Sequence, residues 1–326
     1  MNSATFIKNI QQSVRALSAE YTTHIISTGH IKPSIKILQK VIDRVQESPE
    51  KLTIFHADLL QLCIAANFFL PAIRLMSITI LDLDHSQTAR DYQLYFYYSG
   101  LIYSAIKDFK AAHQNFELSL IIPAYNPNQI YLHCLKKNIL ISLILNGFYE
   151  PKSHENHLKP YLLLVKAFEV GTLQELNEVI EANAPIYIED KNYGIVKQLR
   201  ERYIKTRIIN LTKTYLTMTL EDLSNRLLIP DLKTVENLLS EMIVDGEIFA
   251  SIDKENKKVQ FLDDPENYES AEILLQINKK ITDCVKLEQY LKSYSDTLKL
   301  NPQYITSLAD QDSKISKVSN SYEKFV

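Results

Sequence analysis

The sequence predicts a mostly α-helical chain in three parts. An arm of stacked helix pairs runs into a small module of three helices and a two-stranded wing, and one long helix follows. Three observations carry this reading. Only 6 of 326 residues are glycine, far below the usual ~7%, so glycine-rich loops and tight hairpins are scarce. A polar break followed by an aromatic residue recurs at Asn67-Phe68-Phe69, Lys107-Asp108-Phe109 and Asn146-Gly147-Phe148. The periodicity then changes beyond Pro185.

The arm comes first. Leu59, Leu62, Cys63 and Ala66 follow helical spacing, as do Ala72, Leu75 and Met76 beyond the first break. Breaks about 40 residues apart mark stacked helical hairpins, with the aromatic packed where the two helices meet. The second unit matches the tetratricopeptide pattern: Phe96, Gly100 and Tyr103 on one helix, Ala112 and Phe116 on the next. Gly100 and Ala112 are small where helices cross, and Tyr103 and Phe116 fill the groove. Pro151 and Pro160 bracket a polar loop. A fourth pair starts at Tyr161, turns at Gly171-Thr172 and continues through Leu173, Leu176 and Ile180.

The module follows. Leu199, Tyr203, Ile204, Ile208 and Leu211 form the apolar face of a helix over 196–215. Thr219 caps a helix containing Leu223 and Leu227, and Asp231 caps one carrying Val235, Leu238, Leu239, Met242 and Ile243. Gly246 suits the left-handed stop. Two strands follow, with Ile248, Ala250 and Ile252 on one face of the first and Val259 and Phe261 on one face of the second. Three helices and a two-stranded wing are the order of a winged helix.

The terminal helix is defined by Leu274, Ile277, Ile281, Cys284, Leu287, Leu291, Tyr294 and Leu298 at steps of three and four, stopped at Asn301-Pro302. The organisation expected is an arm over 1–158, a module over 159–265 (helical to about 215, winged helix from about 216), an assembly helix over 266–308 and a disordered polar tail over 309–326.

Composition excludes several classes. A net charge of −3 does not suit a chain built to coat nucleic acid. Cys63, Cys134 and Cys284 form no CxxC pair and sit in apolar periodic segments, so they read as core. The start lacks a basic flank and a long apolar stretch, so no leader is expected. No GxGxxG or P-loop pattern occurs. His154-Glu155-Asn156-His157 places its histidines three apart between prolines, whereas a helical zinc pair needs a spacing of four. His113 and His133 read as ordinary helix residues. No catalytic, metal or cofactor set emerges. Lys197, Arg200, Arg202, Lys205, Arg207 and Lys213 make one basic stretch, read as a solvated face. The second winged-module helix offers Lys233 but also Glu236, Glu241 and Asp245, which repel phosphates. This points to protein docking through the wing edge instead.

Helical repeats running into a winged helix and a terminal helix resemble the PCI family, scaffold subunits of the proteasome lid, the COP-nine signalosome and translation initiation factor three. Leu211–Leu223 resembles the family's entry into its winged helix. Met242–Ile252, ending Phe-Ala-Ser-Ile, is similar to the signalosome's third-subunit family, as are His56–Cys63, Tyr97–Tyr103 and Asn301–Tyr304. The resemblance covers residues 35 to 305. It implies a non-catalytic scaffold in the complex that removes the modifier Nedd8 from cullin–RING ligases, found in cytoplasm and nucleus. Its partners would be other signalosome subunits, of PCI and metalloprotease-fold types, with no membrane, nucleic acid or cofactor. The peptidase of that complex carries an H-x-H…D zinc motif in another subunit, and this chain has no H-x-H. In the family, winged helices join into an arc and terminal helices gather into a bundle. That assigns partner contacts to Ile248, Phe249, Ile252, Val259 and Phe261 on the winged helix and to Leu287, Leu291, Tyr294 and Leu298 on the terminal helix. The proteasome lid, an initiation factor and an RNA-binding mRNA-export subunit are the alternatives.

Overall fold

The computed structural model describes residues 3–300 except 47, 79, 81–86, 124–127, 151–157, 230, 254–255 and 264–269, and also 302 and 305–306. Among these residues are fourteen helices and three short strands. The chain divides into two units, Met1–Asp264 and Pro265–Val326. The expected tail over 309–326 and the His154–His157 motif lie outside the described residues.

The first unit opens with α1 (Ser3–Thr28) and α2 (Ile31–Val45). Hairpins follow: α3 (Phe55–Ala65) with α4 (Leu70–Met76), then α5 (Ala89–Ala105) with α6 (Phe109–Ile121). Next come α7 (Gln129–Asn146), α8 (Lys159–Glu169), α9 (Leu173–Ala182) and α10 (Ala184–Glu189). One stop device ends several of these helices. Asn67, Lys107 and Gly147, each 40 residues after the last, have φ of 49°, 66° and 79°. After Asn67 and Lys107 the next amide reaches back to the last turn, Phe68 to the Cys63 carbonyl and Asp108 to that of Tyr103, both at 3.0 Å. This is the left-handed cap that satisfies a helix's final carbonyls.

The repeat aromatic lies two residues beyond each left-handed residue. Phe69 and Phe109 pack against the cores. In the third hairpin the sequence reading is one residue out of register: Phe148 is 54% exposed, and Tyr149 is the one buried. Asn146 still ends the helix, but Gly147 makes the turn, which moves the aromatic position to 149.

The second hairpin has the predicted packing. Ala112 and Phe116 are fully buried. Phe96 and Tyr103 are partly buried against neighbouring cores.

The winged module is built on α11 (Tyr193–Thr212), α12 (Leu220–Leu227) and α13 (Leu232–Val244). Thr219 and Asp231 cap α12 and α13 through their side chains, as their positions predict. Gly246 ends α13 at φ 69°. The sheet has three strands, not two: β1 (Thr217–Thr219), β2 (Ala250–Asp253) and β3 (Lys258–Phe261), in the order β1-β3-β2, all antiparallel. β1 was hidden because three residues are too few to display an alternation, and Met218 alone faces the core.

The second unit contains α14 (Ala271–Lys299).

Candidate functional site

The described residues hold no group of three metal-ligating side chains. Cys63 and Cys134 are sealed in the core, and burial pushes their thiols up to about 11 and about 12. Cys284 departs from the core reading: it is exposed on α14. His113 Nδ1 bonds Asn138 Oδ1 at 2.8 Å, and His133 is exposed. The surfaces that stand out are the edge of the wing and the face of α14.

The wing edge arises from strand order. β3 is flanked on both sides, so β2 is an outer strand. Leu262 donates to the Phe249 carbonyl, and the register continues Ser251↔Gln260. Ladder alternation therefore turns the N–H groups of Ala250 and Ile252 outward, away from β3. An outward row of this kind pairs readily with another strand.

The side chains assigned to this surface divide in two. Ile248, Val259 and Phe261 are buried in the winged-helix core, so they do not face a partner. Phe249 and Ile252 are half-buried. A small three-stranded wing needs one face of every strand for its own core, which is why the assignment fails for the buried three. On α13, Lys233 and Glu241 are exposed and Glu236 is half-buried.

The α14 surface is different in kind. Its 29 residues make a rod of roughly 44 Å. Ser270 caps its start, accepting from the Ile273 amide at 3.3 Å. Leu287, Leu291 and Tyr294 are 45%, 56% and 47% exposed, and Leu298 is half-buried. Leu274, Leu275, Ile277, Ile281 and Val285 are exposed on the same helix. Tyr290 and Tyr294 stack with ring centroids 6.3 Å apart. An apolar series of this extent exceeds what a soluble surface normally shows to water.

The basic stretch on α11 is not simply a solvated face. Arg202 pairs with Glu247 at 3.1 Å, and Lys205 lies 3.3 Å from Glu247 and 3.7 Å from Asp245. Arg207 donates to the Gly171 carbonyl at 2.9 Å and lies over the Tyr203 ring. Lys197 lies over Tyr193.

A polar chain that the periodicity did not disclose joins α7 to the start of α11. Lys137 Nζ donates to Asn192 Oδ1 (2.6 Å), Asn192 to the Tyr161 hydroxyl (2.8 Å), and Tyr161 to Asp190 (2.8 Å). Lys136 Nζ reaches both Asp190 oxygens at 2.6 and 2.8 Å. Burial lowers Lys137 to about 8. The available signal was Lys136-Lys137-Asn138 interrupting an otherwise apolar helix; polar residues there must find partners.

Two family models match the chain. The model described as COP9 signalosome complex subunit 3, N-terminal helical repeats, covers residues 2–154, and the PCI domain model covers 180–263. A protein of Arabidopsis thaliana named COP9 signalosome complex subunit 3 is 32% identical over 293 residues, 86% of this chain and 68% of the relative. One of the same name from Drosophila melanogaster is 31% identical over 324 residues, 91% and 73%. Repeats, winged helix and terminal helix follow one another here as in the resemblance. The chain belongs to the COP9 signalosome complex subunit 3 family.

Proposed function

We propose that this chain is a non-catalytic scaffold subunit of the signalosome, acting in the removal of Nedd8 from cullin–RING ligases in cytoplasm and nucleus. It would join a PCI neighbour through the outer edge of β2 and partner helices through α14, while another subunit supplies the zinc peptidase. The observation supporting this most is the apolar series of α14, which a single helix cannot bury by itself.

Each large apolar side chain buried on assembly contributes about 1.5–3 kcal/mol. The double change Leu291→Asp plus Leu298→Asp should therefore weaken assembly by about two orders of magnitude or more. The free chain should melt as before, because Leu291 is exposed and Leu298 half-buried in it. The test is co-elution with the co-expressed signalosome subunits beside the melting temperature of the free chain. A lowered melting temperature with intact co-elution would make the series intramolecular core and overturn the reading.

A further inference from the structure

Between the α8–α9 turn and the end of α12 lies a groove of about 430 Å³. Its walls are mainly aliphatic: Leu173, Ile204, Leu211 and Leu227, with Val170 and Leu228 at the lips. Val170 is 86% exposed and Leu228 55%. Arg207 and Arg226 also line it.

Neither arginine forms an ion pair with a described carboxylate. Arg207 is aimed by the Gly171 carbonyl, which also accepts from the Tyr203 hydroxyl at 2.8 Å. Arg226 lies over the Tyr215 ring, 4.8 Å from its centroid. Both guanidinium groups are thus oriented by hydrogen bonding or ring stacking, with no ion pair to a carboxylate among the described residues. Glu175, beside Gly171, is turned to the Thr172 amide in a capping box.

Leu228 shapes one lip of the groove. It sits at φ 57°, the stop position after α12, where glycine is the favoured residue. A leucine there is strained, and its side chain is not used in the core. Gly171 is constrained as well: a Cβ would meet the Ala167 carbonyl oxygen at 2.6 Å.

We propose that this groove binds an acidic, aliphatic peptide segment of another protein, its carboxylates on Arg207 and Arg226 and its Leu, Ile or Val side chains along the walls. The volume suits a few residues, within the ~300–1,000 Å³ of ordinary ligand sites. A free anion would leave the aliphatic walls wet. A nucleic acid would need open ring faces for base stacking; here guanidinium groups already lie over Tyr203 and Tyr215.

The test uses the full chain and a synthetic array of random unphosphorylated decapeptides, with the best sequence measured in solution by fluorescence anisotropy. Selected peptides should carry Asp or Glu beside Leu, Ile or Val. Arg226→Gln, or Gln for Glu in the peptide, should weaken binding about tenfold or more, as loss of a charge-assisted contact does. Leu228→Gly should weaken binding several-fold while raising the melting temperature, which no folding defect would do. The proposal is overturned if no peptide is selected, if the winners are basic, or if Arg226→Gln leaves binding unchanged. It is also overturned if inorganic phosphate or a phosphoserine version of the peptide binds far more tightly, since the ligand would then be a phosphate.

Discussion

A Cβ atom on Gly100 would stand 2.6 Å from Cε1 of the Phe116 ring. The α5–α6 crossing closes because one residue lacks a side chain and the other fills the space. Gly100→Ala therefore overpacks a fully buried ring and should cost about 1–3 kcal/mol, against the modest gain alanine brings to a helix. Combining it with Phe116→Leu should recover part of the loss, since the smaller side chain vacates the contested volume. Urea unfolding of both single variants and the double variant reads the coupling; strictly additive losses would mean the ring simply moves aside.

The left-handed stops give a second test with opposite signs. Lys107 holds φ 66° with a side chain, and Gly147 holds φ 79° without one. The left-handed conformation costs a side-chain-bearing residue about 1–2 kcal/mol, offset in part by glycine's larger unfolded-state entropy. Lys107→Gly should stabilise by about 0.5–1 kcal/mol. Gly147→Ala should destabilise by about 1–2 kcal/mol, with its new methyl 3.1 Å from Cγ2 of Thr206. Denaturant midpoints check both, and a less stable Lys107→Gly variant would refute the account.

His56 makes stability depend on acid. Its ring is buried, accepts from the Thr53 amide at 3.0 Å and meets the edge of Tyr95. Burial lowers it from 6.5 to about 4. Between those values the unfolded chain binds a proton that the folded chain refuses. Stability should therefore fall as pH drops from 6.5 towards 4, by up to about 3 kcal/mol. Asp58, raised by burial, works in the opposite sense, so the informative quantity is the difference from His56→Asn. That variant should lose part of the acid sensitivity; equal slopes in urea midpoints against pH would exclude His56 as the cause.

At the wing, Ala250→Pro deletes an N–H that points away from β3, and proline is tolerated on an outer edge. The fold should survive while strand addition by a neighbour fails, seen as lost co-elution at an unchanged melting temperature. Ser251→Pro, whose N–H lies on the β3 side, is the contrast: it should lower the melting temperature by several degrees. Normal assembly of the Ala250→Pro chain would place docking elsewhere.

Much of the architecture was legible because it rests on long periodic helices and side-chain caps. Thr219, Asp231 and Gly246 act where local chemistry puts them. What escaped was non-local. The register of the third hairpin turned on which residue takes the positive φ, and it is Gly147 rather than Asn146. β1 was too short to alternate. The resemblance that assigns partner contacts to the wing names a module, not a face, and period two shows which residues share a face but not which face is covered. The basic stretch of α11 looked solvated because Asp245 and Glu247, its partners, are some 40 residues away in the chain.

Those attachments give α11 a mechanical character. Near its start, Asn192 is held by Lys137 and Tyr161; further along, Arg202 and Lys205 grip Asp245 and Glu247 after α13. The helix behaves as a beam fixed at more than one point, with directional bonds that resist twist as well as separation. The seam between the repeats and the winged helix is thus spanned by one continuous helix bonded on both sides. A tilt imposed on the last repeats would be carried to the wing rather than absorbed by a hinge, and docking at the wing would need no prior freezing of that joint.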